Sequence, residues 1–385
     1  MVTAVRPLPR PVPAAPRFPS VRHLGPNWYA SVMGTSVVAT AGAGLPWHPP
    51  GLRTACATVW AVSLVLLVVL LAARALHWLH HRDRARAHLL DPAVAPFYGC
   101  LAMALLSVGG GAVTVGADWT GGAAAAVLGA VLFAAGTAVA LAAAVAVPYL
   151  MAVHHRPAPA QAGPVWLLPL VAPMVAAATG PSVVELLPPG QPRATLLYGC
   201  LALFGVSLLA TLLMLPLVFA RLLTGGPLPL ALTPSLFLVL GPLGQSATAA
   251  GRIADVAPGV VPAPVADGAG VLAVVYGVPV LGFALLWLVL ASALVGRARR
   301  LGMRFSMTWW SFTFPVGTCV TGATTLARHT GLTVYALLAV VLYGLLAAAW
   351  AVAAAGTVRG TVSGELLAAP RPAPAAPRPV TARTR

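Results

Sequence analysis

The chain has 385 residues, of which 59% are hydrophobic and 8% are charged, and its mean hydropathy is +0.90. A soluble domain carries about 25% charged residues, so this composition predicts an integral membrane protein. All of the basic residues behind the net charge of +16 are arginines. Without lysine the chain can form neither a Walker A loop nor a Schiff base, which excludes ATP-driven transport by this chain alone and a retinal-based pump.

Ten stretches of the chain approach the roughly 20 apolar residues that a membrane-spanning helix needs. In chain order they are 27–46, 54–79, 95–116, 121–149, 164–179, 194–222, 232–251, 268–295, 307–327 and 332–358. The flanking segments, 1–26 and 359–385, are rich in Pro and Arg and are predicted to be disordered cytoplasmic tails. The sequence thus predicts an all-α, multi-pass membrane domain over 27–358.

The odd-numbered spans are interrupted by glycine or proline, whereas most even-numbered spans are longer and smoother. The interruptions are Gly42 and Gly44, Gly109 to Gly111, Pro169 and Pro173, Pro234 and Pro242, and Pro315 and Gly317. The odd spans start at intervals of 68, 69, 68 and 75 residues, which indicates five repeated helical hairpins. A broken helix is tolerated in a membrane only where protein or a water-filled cavity satisfies its backbone. We therefore expect kinked odd helices around a central axis that side chains fill or leave open as a pore.

The arginines are concentrated on one predicted side of the membrane. All but Arg53, Arg193, Arg252 and Arg328 fall in the two tails or near the loops that follow even-numbered helices. Because cytoplasmic loops carry the excess of Lys and Arg, both termini are predicted to lie in the cytoplasm, with the protein in the cytoplasmic membrane. This topology explains the positive charge without nucleic-acid binding.

The positions of the acidic residues outside the predicted spans indicate that the transported species is an anion and not a cation or a proton. All of them map to predicted loops or a tail: Asp83, Asp91, Asp118, Glu185, Asp255, Asp267 and Glu365. A proton relay or cation path would require ionisable groups or carbonyl filters within the membrane, whereas broken helices present N–H groups to anions. Arg252 and Arg328, near the predicted outer ends of the seventh and ninth helices, either draw anions to an outer mouth or bind lipid head groups.

The spacing of the cysteines and histidines does not indicate a metal site, a disulfide or a bound cofactor. Cys56, Cys100, Cys200 and Cys319 each lie in an apolar stretch without CxxC spacing and are predicted to be small buried hydrophobes. His77 and His81 have the i, i+4 spacing of two metal ligands, but no third ligand is apparent and a lipid-facing collar is favoured. No GxSxG or HExxH motif appears, so the chain is not predicted to be an enzyme.

Three segments carry a resemblance to a known family. They are PNWYASVMGTSVVATAGAGLP at 26–46, GPLGQSATAA at 241–250 and MTWWSFTFPVGTCVTGATTLA at 307–327. Together they resemble the tellurite-resistance/dicarboxylate transporter family, which includes bacterial tellurite-resistance proteins, fungal malate permeases, fungal sulfite efflux proteins and plant slow anion channels. Ten helices in five hairpins is also the fold of that family.

The resemblance implies a homotrimer in which each subunit has a pore lined by its five inner helices and plugged by a phenylalanine of the ninth helix. Phe312 and Phe314 occupy the matching segment. We favour Phe314, because Pro315 loosens the helix beside it and an inward ring closes a narrow pore by steric block and dewetting. Residues two apart point to different faces, so only one can be the plug, and each ring alternatively packs between helices.

Polar residues of the inner helices are candidates for lining such a pore. They are Ser31, Thr35, Ser36, Ser107, Gln245, Ser246 and Thr318. Hydroxyl and amide donors suit partly dehydrated anions, but the same residues commonly form hydrogen bonds between membrane helices.

The sequence as a whole predicts a transporter or channel for small anions: a C4-dicarboxylate such as malate, tellurite, sulfite or inorganic anions. The GPLGQ stretch favours the malate and sulfite branch. A proton-coupled carrier or sulfite efflux pump of the same fold is an alternative, as is an intramembrane enzyme or receptor without transport. The expected partners are small anions, membrane lipids and further copies of the chain.

Overall fold

The computed structural model describes residues 21–368, which form helices and no β-strand. In chain order the α-helices are α1 (Tyr29–Ala43), α2 (Leu52–His80), α3 (Arg82–Leu90), α4 (Tyr98–Gly111), α5 (Ala117–Thr120), α6 (Gly122–Leu150), α7 (Leu167–Val184), α8 (Gln191–Gly225), α9 (Leu240–Val256), α10 (Ala263–Arg300), α11 (Phe314–Thr330) and α12 (Thr333–Val362). Within this range, the segments containing α2, α4, α6, α7, α8, α9, α10 and α12 are long and apolar enough to cross a membrane. Helices α1 and α11 are shorter, with 15 and 17 residues.

Five helices form a closed ring at the centre of the protein. Helix α1 packs against α4, α4 against α7, α7 against α9, α9 against α11, and α11 returns to α1. The long helices α2, α6, α8, α10 and α12 lie outside this ring, and each packs against the inner helix before it and the inner helix after it.

The exposed surface explains why the inner and outer helices differ in sequence. In the most apolar window of each span, 72 to 83% of the residues are buried for the inner α4, α7 and α9, but only 22 to 33% for the outer helices. Side chains such as Val289 and Val275 of α10 are about 70% exposed (72% and 69%). Apolar side chains in such numbers cannot face water, so the outer helices present their free faces to lipid.

The inner helices depart from regular α-helix where the sequence carries proline or glycine. Helix α4 passes into a π-helical turn at Ala112–Gly116, and 3₁₀ segments at Leu230–Val239 and Met307–Phe312 precede α9 and α11. At the end of α4, beside the π-helical turn, the Trp60 ring occupies the position that a Cβ on Gly111 would take. Its Nε1 donates a hydrogen bond to the Val108 carbonyl at 3.0 Å. Only glycine permits this approach of the indole ring to the backbone.

The start of the described chain is attached to the end of α2. Arg74 donates to the Leu24 carbonyl at 2.6 Å, and a ring nitrogen of His77 lies 2.8 Å from the Val21 carbonyl. His77 is fully buried and stacks on His88, so the expectation of a lipid-facing collar is wrong for this residue, because the N-terminal segment covers it.

The predicted tails lie mostly outside the described residues, since 1–20 and 369–385 are not among them. Their predicted boundaries stay predictions. The cysteines are buried and free, as predicted: Cys56, Cys100, Cys200 and Cys319.

Candidate functional site

Two cavities lie inside the ring of inner helices. The larger, which we call the vestibule, has a volume of about 70 Å³. All five inner helices, with the π-helical turn after α4, contribute to its lining: Val37, Thr40, Ser107, Gly110, Thr114, Val175, Ala178, Thr179, Ser182, Gln245, Thr248, Arg252, Phe314 and Thr321. The smaller, which we call the apolar chamber, measures about 10 Å³. Its lining is Met33, Met103, Leu167, Leu168, Val171, Leu238, Gly241, Phe314 and Pro315.

Phe314 is the residue that these two linings have in common. It is the first residue of α11, follows Thr313 at the end of a 3₁₀ segment, and is 4% exposed. Its position places the ring between the polar vestibule and the apolar chamber.

Phe312 occupies a different environment. Its ring lies edge-on to Phe237 at 4.8 Å between centroids and packs against Trp309 at 5.8 Å. It belongs to the lining of neither the vestibule nor the apolar chamber. This aromatic cluster joins the 3₁₀ segments that precede α9 and α11.

Three of the polar residues predicted to line a pore or its mouth do line the vestibule, namely Ser107, Gln245 and Arg252. Helix α9 carries two of them, together with Thr248, at a spacing of three and four residues. That spacing places the three side chains on one face of the helix.

The other predicted lining residues make contacts within or between helices. Ser31 donates to the Trp28 carbonyl, and Thr35 accepts a hydrogen bond from Trp350 of α12 at 3.1 Å. Ser246 accepts one from Tyr276 of α10 at 2.8 Å. These residues lie outside the vestibule lining.

Two further candidates also lie away from the vestibule. Thr318 donates to the Pro315 carbonyl at 2.7 Å and lies against the Leu240 carbonyl of α9 at 3.3 Å. Ser36 is fully buried, and its hydroxyl has no partner within the described chain.

The two arginines predicted at the outer mouth differ in their surroundings. Arg328 forms an ion pair with Asp255 at 3.1 Å, and His329 approaches the same carboxylate at 3.1 Å. Arg252 lines the vestibule, and no hydrogen bond or ion pair joins its side chain to the rest of 21–368. The lining of the vestibule contains no carboxylate, and the carboxylates that interact electrostatically with Arg252 are Asp255 and Glu185.

Six polar residues of the vestibule were not predicted from the sequence: Thr40, Thr114, Thr179, Ser182, Thr248 and Thr321. A signal for several of them was present. Ser107, Gly110 and Thr114 follow one another at intervals of three and four, as do Gln245, Thr248 and Arg252. Small and polar residues with this spacing on a buried helix form a stripe along one face.

Comparison with known proteins connects this architecture to anion transport. The family model described as voltage-dependent anion channel matches residues 23–358. The sulfite efflux pump SSU1 of Arthroderma otae is 27% identical over 367 residues, covering 90% of this chain and 93% of that protein. The SSU1 of Trichophyton rubrum is 27% identical over 325 residues, covering 80% and 83%. An uncharacterized transporter of Methanocaldococcus jannaschii is 23% identical over 354 residues, covering 90% and 96%.

Proposed function

We propose that this chain, which belongs to the voltage-dependent anion channel family, passes small anions across the cytoplasmic membrane through the axis of its inner ring. The resemblance to the tellurite-resistance/dicarboxylate transporters is thereby confirmed. The observation that carries the proposal is the vestibule itself. It combines an unpaired Arg252 with a lining free of carboxylates, and Phe314 separates it from the apolar chamber.

The proposed topology has ten membrane spans arranged as five hairpins. Helices α1 and α11 belong to the closed inner ring and pack along spanning helices on both sides, so we assign them as crossings despite their length. We assign both termini to the cytoplasm because cytoplasmic loops carry the excess of arginine, and this assignment puts the Arg252 end of the vestibule at the outer face. We further propose that three such subunits form a homotrimer, which contacts membrane lipid.

Phe314 is proposed to be the gate. Its ring lies between a polar cavity and a chamber of about 10 Å³, which is close to the smallest volume that holds one water. An apolar constriction of this size blocks ions sterically and by dewetting. Rotation or removal of the ring would join the two cavities.

Sulfite is the anion that the relatives favour, because two of them carry the name sulfite efflux pump. Malate, tellurite and inorganic anions remain within the proposal. The vestibule lining holds no acidic residue or histidine for a proton relay, which supports a channel-like path over a proton-coupled carrier.

The decisive experiment is anion flux through the purified protein in liposomes, comparing wild type with Phe314→Ala for chloride, nitrate, sulfite and malate. We expect the variant to raise flux about tenfold or more, which corresponds to about 1.4 kcal/mol removed from the barrier.

Phe312→Ala is the matched control. It should cost stability through the lost contacts with Phe237 and Trp309 and leave flux unchanged. Saturable uptake that is the same in all three proteins would contradict the gated channel and indicate a carrier. An absence of flux in every protein would contradict transport and favour a receptor or an intramembrane enzyme.

A further inference from the structure

The polar residues of the vestibule divide into hydrogen-bond acceptors and donors. Among the threonines, Thr248 and Thr321 bond to each other through their hydroxyls at 2.7 Å. Thr114 and Thr179 use their hydrogen on a carbonyl of their own helix, since Thr114 donates to Gly110 at 3.0 Å and Thr179 to Val175 at 2.9 Å. A hydroxyl has a single hydrogen and two acceptor positions, so these threonines present lone pairs to the cavity.

The donors come from other residues. Ser107 of α4, Ser182 of α7, and Gln245 and Arg252 of α9 all line the vestibule. Throughout the described range, 21–368, their side chains form no hydrogen bond with other protein groups. Ser107 and Gln245 are only 7% and 6% exposed. A polar group this buried requires a partner, so water or a ligand in the vestibule must supply it.

The charge around the vestibule suits a monoanion. Arg252 is the cation of the lining, and the charged groups that interact with it are Arg328, Asp255 and Glu185. Asp255 is itself paired with Arg328 and contacts His329. The formal charges of these two arginines and two carboxylates cancel, so a second negative charge on the ligand would gain little attraction for its greater desolvation.

The volume points to a small ligand. A cavity needs at least about 10–15 Å³ of this measure to hold one water, so the vestibule, with about 70 Å³, has room for only a small group of atoms. A sulfur oxyanion with its three oxygens is of this size.

We infer that the vestibule binds a singly charged oxyanion that keeps one hydroxyl group, such as hydrogensulfite. This deepens the proposed function and rests on it. The anionic oxygens accept from Arg252, Gln245 and the two serines, and the ligand's O–H donates to a threonine oxygen. A fully deprotonated dianion would place lone pairs against the threonine oxygens, and nitrate or chloride has no hydrogen to offer them.

The test measures binding and flux of sulfite and nitrate in the full-length protein on both sides of neutral pH. In wild type, the affinity for total sulfite should fall as pH rises and hydrogensulfite loses its proton, in proportion to the hydrogensulfite that remains. The affinity for nitrate, which does not titrate in this range, provides the reference. A sulfite affinity that rises with pH would show that the dianion binds and would overturn the inference.

A variant tests the acceptor role directly. Thr179→Val keeps the shape of the side chain and removes its oxygen, so we expect the sulfite affinity to fall about tenfold relative to the nitrate affinity. Thr224→Val is the matched control, because Thr224 makes the same kind of bond to Ala220 at an exposed site outside the vestibule. It should change neither affinity.

The outcomes separate this inference from the proposed function. Equal losses for sulfite and nitrate in Thr179→Val, with flux retained, would overturn the hydroxyl-bearing ligand and leave anion transport standing. The wild-type pH profile decides the question even if Thr179→Val does not fold. If neither anion binds or moves in wild type or in Phe314→Ala, the proposed function itself fails.

Discussion

Phe312 and Phe314, only two residues apart in sequence, lie in different environments. Pro315 has no N–H to donate, and the chain changes from 3₁₀ to α-helix at Thr313. This change directs Phe314 into the ring of inner helices and leaves Phe312 against Phe237. The proline was visible in the sequence and favoured Phe314, but the two cavities beside its ring depend on all five inner helices.

At the residue scale, Gly244 determines how closely α9 and α11 approach. A Cβ at this position would stand 2.5 Å from the backbone nitrogen of Cys319, a contact that requires the two helices to move apart. We expect Gly244→Ala to lower the free energy of unfolding by about 1–3 kcal/mol, measured by thermal or denaturant unfolding in detergent.

Gly241 supplies the control on the same helix. A Cβ there would have no atom within 4 Å, so Gly241→Ala should leave stability unchanged or slightly raised. Equal destabilisation by the two substitutions would indicate a general intolerance of α9 to alanine and contradict the close-contact explanation.

At the scale of elements, Trp287 connects the outer helix α10 to the 3₁₀ segment Leu230–Val239. It is 1% exposed, and its Nε1 donates to the Leu236 carbonyl at 2.9 Å. Trp287→Phe keeps most of the ring and removes the donor. We expect a loss of about 1–3 kcal/mol in stability, observed as a lower unfolding midpoint.

Trp119→Phe is the matched control for this prediction. Trp119 is 54% exposed, and its indole makes no hydrogen bond to the described part of the chain. The Trp119→Phe variant should have the same unfolding midpoint as wild type. If Trp287→Phe also matched wild type, the hydrogen bond to the 3₁₀ segment would contribute nothing to holding α10 in place.

The alternation of interrupted and smooth helices could be predicted from the sequence, but the backbone conformation at each interruption could not. Gly109 to Gly111 indicated an interruption in the third span, and the structure has a π-helical turn just after it. Glycine makes several backbone conformations accessible. The turn that forms there is one in which the Trp60 ring packs against Gly111 and Gly116, and Trp60 belongs to a different helix.

For the whole molecule, the proposed orientation predicts which loops a membrane-impermeant thiol reagent reaches. Pro189→Cys lies in an exposed loop between α7 and α8, and Ala160→Cys lies in an exposed loop between α6 and α7. With both termini inside, intact cells should be labelled at position 189 and not at 160, while opened membranes should be labelled at both.

Wild type is the control for that experiment, because its natural cysteines are buried and should react little. Labelling of Ala160→Cys in intact cells, with Pro189→Cys protected, would reverse the orientation and place the Arg252 end of the vestibule at the cytoplasmic face.

The sequence by itself determined the membrane class, the position of most spans, the distinction between inner and outer helices and the family. These properties follow from hydropathy, proline and glycine spacing and short motifs, all of which are local along the chain. The tertiary structure decided which polar side chains meet in one cavity. It separated Gln245 from its neighbour Ser246, which bonds to Tyr276, and left Arg252 unpaired while Arg328 joined Asp255. Such choices depend on the rotation of each helix about its axis, which is set by packing against neighbours distant in sequence.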